Sequence, residues 1–194
     1  MADVMAFFQH FHALRLARLG LLAALFAGAA LHATTLPVGD WWGTVTFVVD
    51  GDTVRVRPVD IGGRAVAVRL YGIDAPEICQ SGGLEARDAL KRQLTGQRVL
   101  VRGQAHDQHR RLLARIEWHG EDPAASLVAS GWAWAYQFRT GQGPYAAQQQ
   151  QAETRHLGLF VAGRPEEPGA FRKRHGACPH PARSPARHVR RTAW

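Results

Sequence analysis

Two short segments of this 194-residue chain concentrate the side chains whose types and spacing could do chemistry. The first is Asp50-Gly51-Asp52-Thr53, and the second runs Arg69-Leu70-Tyr71-Gly72-Ile73-Asp74-Ala75-Pro76-Glu77. Carboxylates accept protons and ligate hard cations, and a guanidinium grips anions through a planar fork of N–H donors. Taken singly, each piece has an ordinary reading: Asp-Gly-Asp as a hairpin turn, residues 74–77 as a solvated loop, Arg69 as a side chain lying along an exposed strand face. Arg111, further on, reads alone as half of a surface ion pair. Together they place two carboxylates and an arginine at the end of a strand, with a fourth ionisable group just past a proline, so that charge gathers in one place. His106-Asp107-Gln108-His109 has metal-binding types, but nothing else in the sequence completes a tetrahedral set, and it reads as a solvated turn.

These residues need elements to hold them. Residues 44–49 and 53–57 are rich in β-branched side chains and flank Asp50-Gly51, a strong hairpin signal. In residues 64–71, Val66, Val68 and Leu70 alternate with Arg69, which predicts a third strand with Arg69 on the opposite face from the apolar side chains. Residues 83–95 carry Ala86, Ala89, Leu90 and Leu94 at helical spacing and stop before Gly96. Residues 98–102 and 112–118 read as two more strands, the second burying Leu112, Ala114, Ile116 and Trp118 while Arg111 points away. Asp122 as N-cap, Pro123 at the first helical position and Gly131 beyond the end bracket a second helix, and a third is expected over residues 145–156. Three strands, a helix, two strands and then helices is an α+β order, and five short strands that must hide their edges predict a small closed barrel.

The Asp-Gly-Asp-Thr hairpin, the Arg-Leu strand ending in Asp74-x-Pro76-Glu77, the later Asp107 to Arg111 turn, Gly131-Trp132-Ala133, and Tyr145 with Glu153 and Arg155 before Gly158-Leu159-Phe160 resemble, in order and spacing, the staphylococcal nuclease family. The resemblance covers residues 43–160. It implies a five-stranded OB-type barrel with three helices, and a calcium ion ligated by the carboxylates of Asp52 and Asp74 and the main-chain carbonyl of Ala75. It further implies that Glu77 is the general base and that Arg69 and Arg111 bind phosphate. DNA and RNA are the implied substrates. The family's Tyr-Gly before the second arginine is His109-Arg110 here, which leaves both Arg110 and Arg111 as candidates for the second phosphate contact.

Those residue types suit the implied reaction. A phosphodiester repels an attacking water by its charge, and the charge on its oxygens grows toward the transition state, where two guanidinium forks oppose it better than lysines could. Calcium takes oxygen ligands only, and a set of two aspartates and one carbonyl leaves positions for water and phosphate, with an expected dissociation constant of about 10⁻⁴ to 10⁻³ M. Two other functions fit the same barrel: a catalytically silent nucleic-acid-binding module, and an envelope protein with a structural calcium.

The formal net charge of +8 is unevenly placed. Residues 34–170 hold fifteen basic and fifteen acidic side chains, whereas residues 171–194 hold seven basic ones and no acid. That arginine- and proline-rich end reads as a disordered tail able to pull on polyanions. At the other end Arg15 and Arg18 precede an apolar run over residues 19–31, too short for a bilayer span but suited to a secretory signal. The expected organisation is a signal over residues 1–33, a linker over 34–42, the nuclease domain over 43–170 and the basic tail over 171–194. Export to the periplasm or medium is expected, with an uncleaved anchor at residues 19–31 as the alternative, and the molecule is expected to be a monomer. The only two cysteines, Cys79 and Cys178, permit one disulfide in an exported protein, which would pin the start of the tail beside the loop after Glu77.

Overall fold

The computed structural model describes residues 38–60, 62–138, 141, 143–176 and 178. Five strands close into a barrel in the order β1 (Asp40–Val48), β2 (Thr53–Pro58), β3 (Val66–Leu70), β6 (Leu112–Glu117) and β5 (Arg98–His106). All neighbours are antiparallel except β3 and β6, which run parallel and pair Val68 with Leu112, Arg69 with Leu113 and Leu70 with Ala114. The barrel closes where β1 meets β5, from Asp40 opposite Arg102 to Thr44 opposite Arg98. Two further strands, β4 (Ile73–Asp74) and β7 (Trp134–Ala135), form a small antiparallel pair outside the barrel.

Alternation decides what lies inside. Val54 and Val56 of β2, Val68 and Leu70 of β3, Val99 and Val101 of β5, and Leu112, Ala114 and Ile116 of β6 are buried. Burial of a valine or leucine is worth roughly 1.5–3 kcal/mol each, so these layers alone justify closing the sheet. β1 and β5 each change register once, between Val45 and Phe47 and between Gly103 and Ala105. Such bulges let long strands bend around a small barrel. The helix α1 (Gly83–Leu94) buries Ala86, Leu90 and Leu94, and α2 (Pro123–Ala129) buries Leu127 and Val128. Asp122 caps α2 by accepting hydrogen bonds from the Ala124 and Ala125 amides. The helix α3 (Ala146–Thr154) and a 3₁₀ turn at Gly158–Ala162 follow, where Ala152, Trp134 and Phe160 form a second apolar cluster.

The architecture is thus the expected α+β five-stranded barrel, but with four α-helices among the described residues where the sequence predicts three in the domain. The fourth, α4 (Pro168–His175), crosses the expected start of the tail at Phe171. Proline at the first turn and the absence of a strong apolar stripe hide it from periodicity; what holds it lies elsewhere in the fold, as described below. The expected linker also ends early, because β1 begins at Asp40 and buries Trp41. The two cysteines are bridged, Cys79 to Cys178. The expected signal segment and residues 179–194 lie outside the described residues. Among the described residues no helix is long and apolar enough to cross a membrane.

Candidate active site

The site is assembled on the tip of the β1–β2 hairpin. The Asp50 and Val49 amides donate to the Thr53 carbonyl, and the Leu70 amide donates to the Asp52 carbonyl, tying β3 to the tip. Gly51 is needed here for space. Its φ lies outside the left-handed region, yet a Cβ on it would fall 2.7 Å from that of Ala75 and 2.8 Å from that of Ala86. The hairpin tip therefore presses against both the Asp74–Glu77 segment and α1, and only glycine permits the approach.

Asp52 is buried and held through both oxygens, with one lone pair of Oδ1 left over. Its Oδ1 accepts from the Thr53 hydroxyl at 2.8 Å, and its Oδ2 accepts from the Ala75 amide at 3.0 Å and pairs with Arg69. Burial alone would raise its carboxyl, but the Arg69 guanidinium and the Ala75 N–H outweigh it and hold the group below the usual carboxylate range. Asp50, beside it, donates no charge-balancing contact of its own; burial and the Asp52 charge push it up to about 8. Its Oδ1 accepts the Asp52 amide at 3.1 Å.

Arg69 joins the two motifs. One Nη lies on Asp52; the other donates to Asp74 Oδ1 at 2.8 Å and to the Ile73 carbonyl at 3.3 Å. Three of its five N–H donors are spent on these partners, which leaves two for a ligand. Burial would lower its pKa, and the charges of Asp52 and Asp74 more than reverse that, so the guanidinium stays protonated. Asp52, Arg69, Asp74 and Ala75 are thereby brought together. Glu77 stands at the far side of Asp74, on a turn in which its amide donates to Gln80 Oε1 at 3.2 Å and its carbonyl accepts the Gln80 amide at 2.8 Å.

Arg111 sits just before β6, on the outward face that β6 shares with Arg69 on the adjacent β3. Asp107 holds it through both oxygens, Oδ1 accepting its amide and Oδ2 its Nε at 2.7 Å, so that its terminal Nη groups are left over. Arg110 takes φ 60°, the left-handed conformation a glycine would take without strain, and is exposed. Of the two candidate arginines, Arg111 is the one on the barrel face that carries Arg69, and Arg110 is the one left to solvent. His106 and His109 join no metal-binding cluster of three such groups among the described residues.

Sequence reasoning missed one member of the site. Arg172, on α4, donates from Nη1 and Nη2 to Asp74 at 3.2 and 2.9 Å, and from Nη1 to Glu77 Oε1 at 2.9 Å. The residue sits in a run of basic side chains that reads as tail. The one available signal was Cys178, whose bridge to Cys79 brings this segment to the turn after Glu77. Also unforeseen is an aromatic group in which Tyr71 stacks on Phe138 at 5.5 Å, Tyr136 meets Phe138 edge-on at 5.0 Å, and Arg115 lies over the Tyr71 ring.

The donors at the site fit a hard divalent cation. Asp52 and Asp74 are set side by side by one guanidinium, offer only oxygen, and adjoin the Ala75 main chain. The carboxylates of Asp52, Asp74 and Glu77 outnumber the two guanidiniums they touch. Asp52 and Asp74 form no metal-holding group with a third His, Cys, Asp or Glu among the described residues, Glu77 included, so much of a coordination shell of roughly six to eight oxygens would fall to water and substrate.

Comparison with known proteins gives the chain its relatives. The family model described as staphylococcal nuclease homologue matches residues 67–160. Protein ParB of Escherichia coli is 32% identical over 166 residues, covering 78% of this chain and 92% of the relative. A micrococcal nuclease of Shigella flexneri is 31% identical over 166 residues, covering 78% and 94%. A protein of Haemophilus influenzae named an uncharacterized endonuclease is 29% identical over 129 residues, covering 66% and 71%. The chain belongs to the staphylococcal nuclease family. Its membership and its nuclease-named relatives support a nuclease.

Proposed function

We propose that the protein is a calcium-dependent endonuclease that hydrolyses phosphodiester bonds of DNA and RNA with little sequence preference. The observation that carries the reading is the Arg69 guanidinium, joined at once to Asp52 and Asp74 in a largely buried position, with Glu77 linked to the same Asp74 through Arg172.

Calcium held by Asp52, Asp74 and the Ala75 carbonyl would supply the positive charge that draws a phosphate into place and makes a nearby water easier to deprotonate. The chain's own groups do the rest. Arg69 keeps two N–H donors for a non-bridging oxygen, and Arg111, clamped only through Nε, presents its terminal fork from the neighbouring strand. Both contacts strengthen as charge builds on those oxygens in the transition state. Glu77, poised on its turn beside Asp74, takes the proton of the attacking water. The grip is on phosphate, which carries no sequence information. Tyr136, exposed beside Phe138, offers a face on which an unpaired base can stack, which favours single-stranded or frayed substrate. The apolar N-terminal run and the disulfide both support export, where calcium is abundant.

Plasmid DNA and RNA should be degraded in millimolar calcium and spared once a chelator is added. Glu77→Gln and Arg69→Ala should each lose roughly 10² to 10³-fold in rate. Undiminished cutting by Glu77→Gln would remove Glu77 from the chemistry. A silent binding module is the second reading, favoured by the Arg172 guanidinium on Asp74 and Glu77; a gel shift with no cleavage at any calcium concentration would select it.

A further inference from the structure

Arg172 lies beyond the residues matched to the family and has no part in the reaction as derived above. Its guanidinium nevertheless covers both oxygens of Asp74 and one of Glu77, at 2.9 to 3.2 Å. The element that carries it is fastened to the turn below Glu77 at two points. Gln80, itself buried, donates from Nε2 to the Glu166 carbonyl at 2.7 Å, ahead of α4. The Cys79–Cys178 bridge holds the chain beyond α4. Glu166 is further paired with Arg174. The two fastenings bracket Arg172 in sequence and both land within three residues of Glu77. A cation delivered by such a short tether acts at a high effective concentration.

We infer that Arg172 is an intramolecular ligand of the candidate metal-binding carboxylates, a tethered cation that a divalent ion must displace before Asp74 and Glu77 can serve it; the inference rests on the reading of Asp52 and Asp74 as metal ligands. A guanidinium spanning both Asp74 oxygens and a divalent ion on the same lone pairs exclude one another. Metal therefore binds only the fraction of molecules whose guanidinium has withdrawn, and the apparent affinity falls by that fraction. The outcome is a threshold: the site fills where divalent ions are plentiful and stays closed by its own arginine where they are scarce. The disulfide sets the threshold by limiting how far α4 can retreat.

Terbium luminescence from the full-length, metal-stripped protein, competed with calcium, reads occupancy without any catalysis. Arg172→Gln should bind calcium about tenfold more tightly, the change expected when about a tenth of the wild-type molecules are open. Arg172→Lys keeps the charge but loses the planar fork and should fall between the two. Cys79→Ser with Cys178→Ser should tighten binding in the wild-type background and leave Arg172→Gln unchanged, because the tether acts only through the guanidinium it carries. Calcium binding by Arg172→Gln no tighter than wild type, with binding abolished in Asp74→Asn, would overturn the inference and leave the metal site standing. Absence of binding by both wild type and Arg172→Gln at millimolar calcium would bring down the metal reading and the inference with it.

Discussion

Arg110 and Arg111 are neighbours in sequence and opposites in circumstance. Arg110 spends its backbone in the left-handed region and points to solvent, while Arg111 is tied to Asp107 at both its amide and its Nε. Burial would raise the Asp107 carboxyl, yet the Arg111 amide and guanidinium and the His109 amide overcome it and hold it low. The pair thus persists at neutral pH and is lost only as pH falls through the depressed carboxyl. Arg110→Gly should relieve about 1 kcal/mol of backbone strain, read as a raised Tm, with digestion retained. Arg111→Ala should fold normally and lose roughly 10² to 10³-fold in rate; the reverse pattern would transfer the phosphate role to Arg110. The convergence of Asp52, Arg69, Asp74 and Ala75 was legible because they lie in two short motifs at neighbouring strand ends. Arg172 was not, since nothing local distinguishes it from Lys173 or Arg174, and its partners lie 95 and 98 residues away.

Among elements, the barrel strands were legible because period-two burial survives in single sequence, and α1 and α2 because their caps are written in Asp122, Pro123 and Gly96. Expectation fell short where that periodicity breaks. β5 continues to His106 rather than stopping at Arg102 because the register change near Gly103 scrambles its alternation, and β4 and β7 are too short to alternate at all. α4 has a different cause for its invisibility: few apolar side chains, and a position fixed by a disulfide and the Gln80–Glu166 contact instead of a buried stripe. That difference is measurable. The bridge closes a loop with a sequence separation of 99, and its loss should cost about 2–5 kcal/mol. Urea unfolding of the Cys79→Ser, Cys178→Ser protein should show it as a lower midpoint, and an unchanged midpoint would mean that α4 adds nothing to the cooperative unit.

Across the whole chain, the charge excess belongs to the C-terminal end. Residues 34–170 balance, and the surplus lies at the C-terminal end, where Arg183, Arg187, Arg190 and Arg191 follow the disulfide. Deleting residues 183–194 removes these four charges; nucleic-acid affinity should weaken and the slope of log affinity against log salt should flatten by roughly three to four, while turnover at saturating substrate holds. A slope that does not move would place the tail off the substrate. The closure of the barrel carries a different consequence, one of timing. β1 cannot complete its ring with β5 until β6 has slotted between β5 and β3, and β6 ends at Glu117. A polypeptide emerging from its N-terminus therefore has no closed cylinder to resist unthreading until Glu117 has followed.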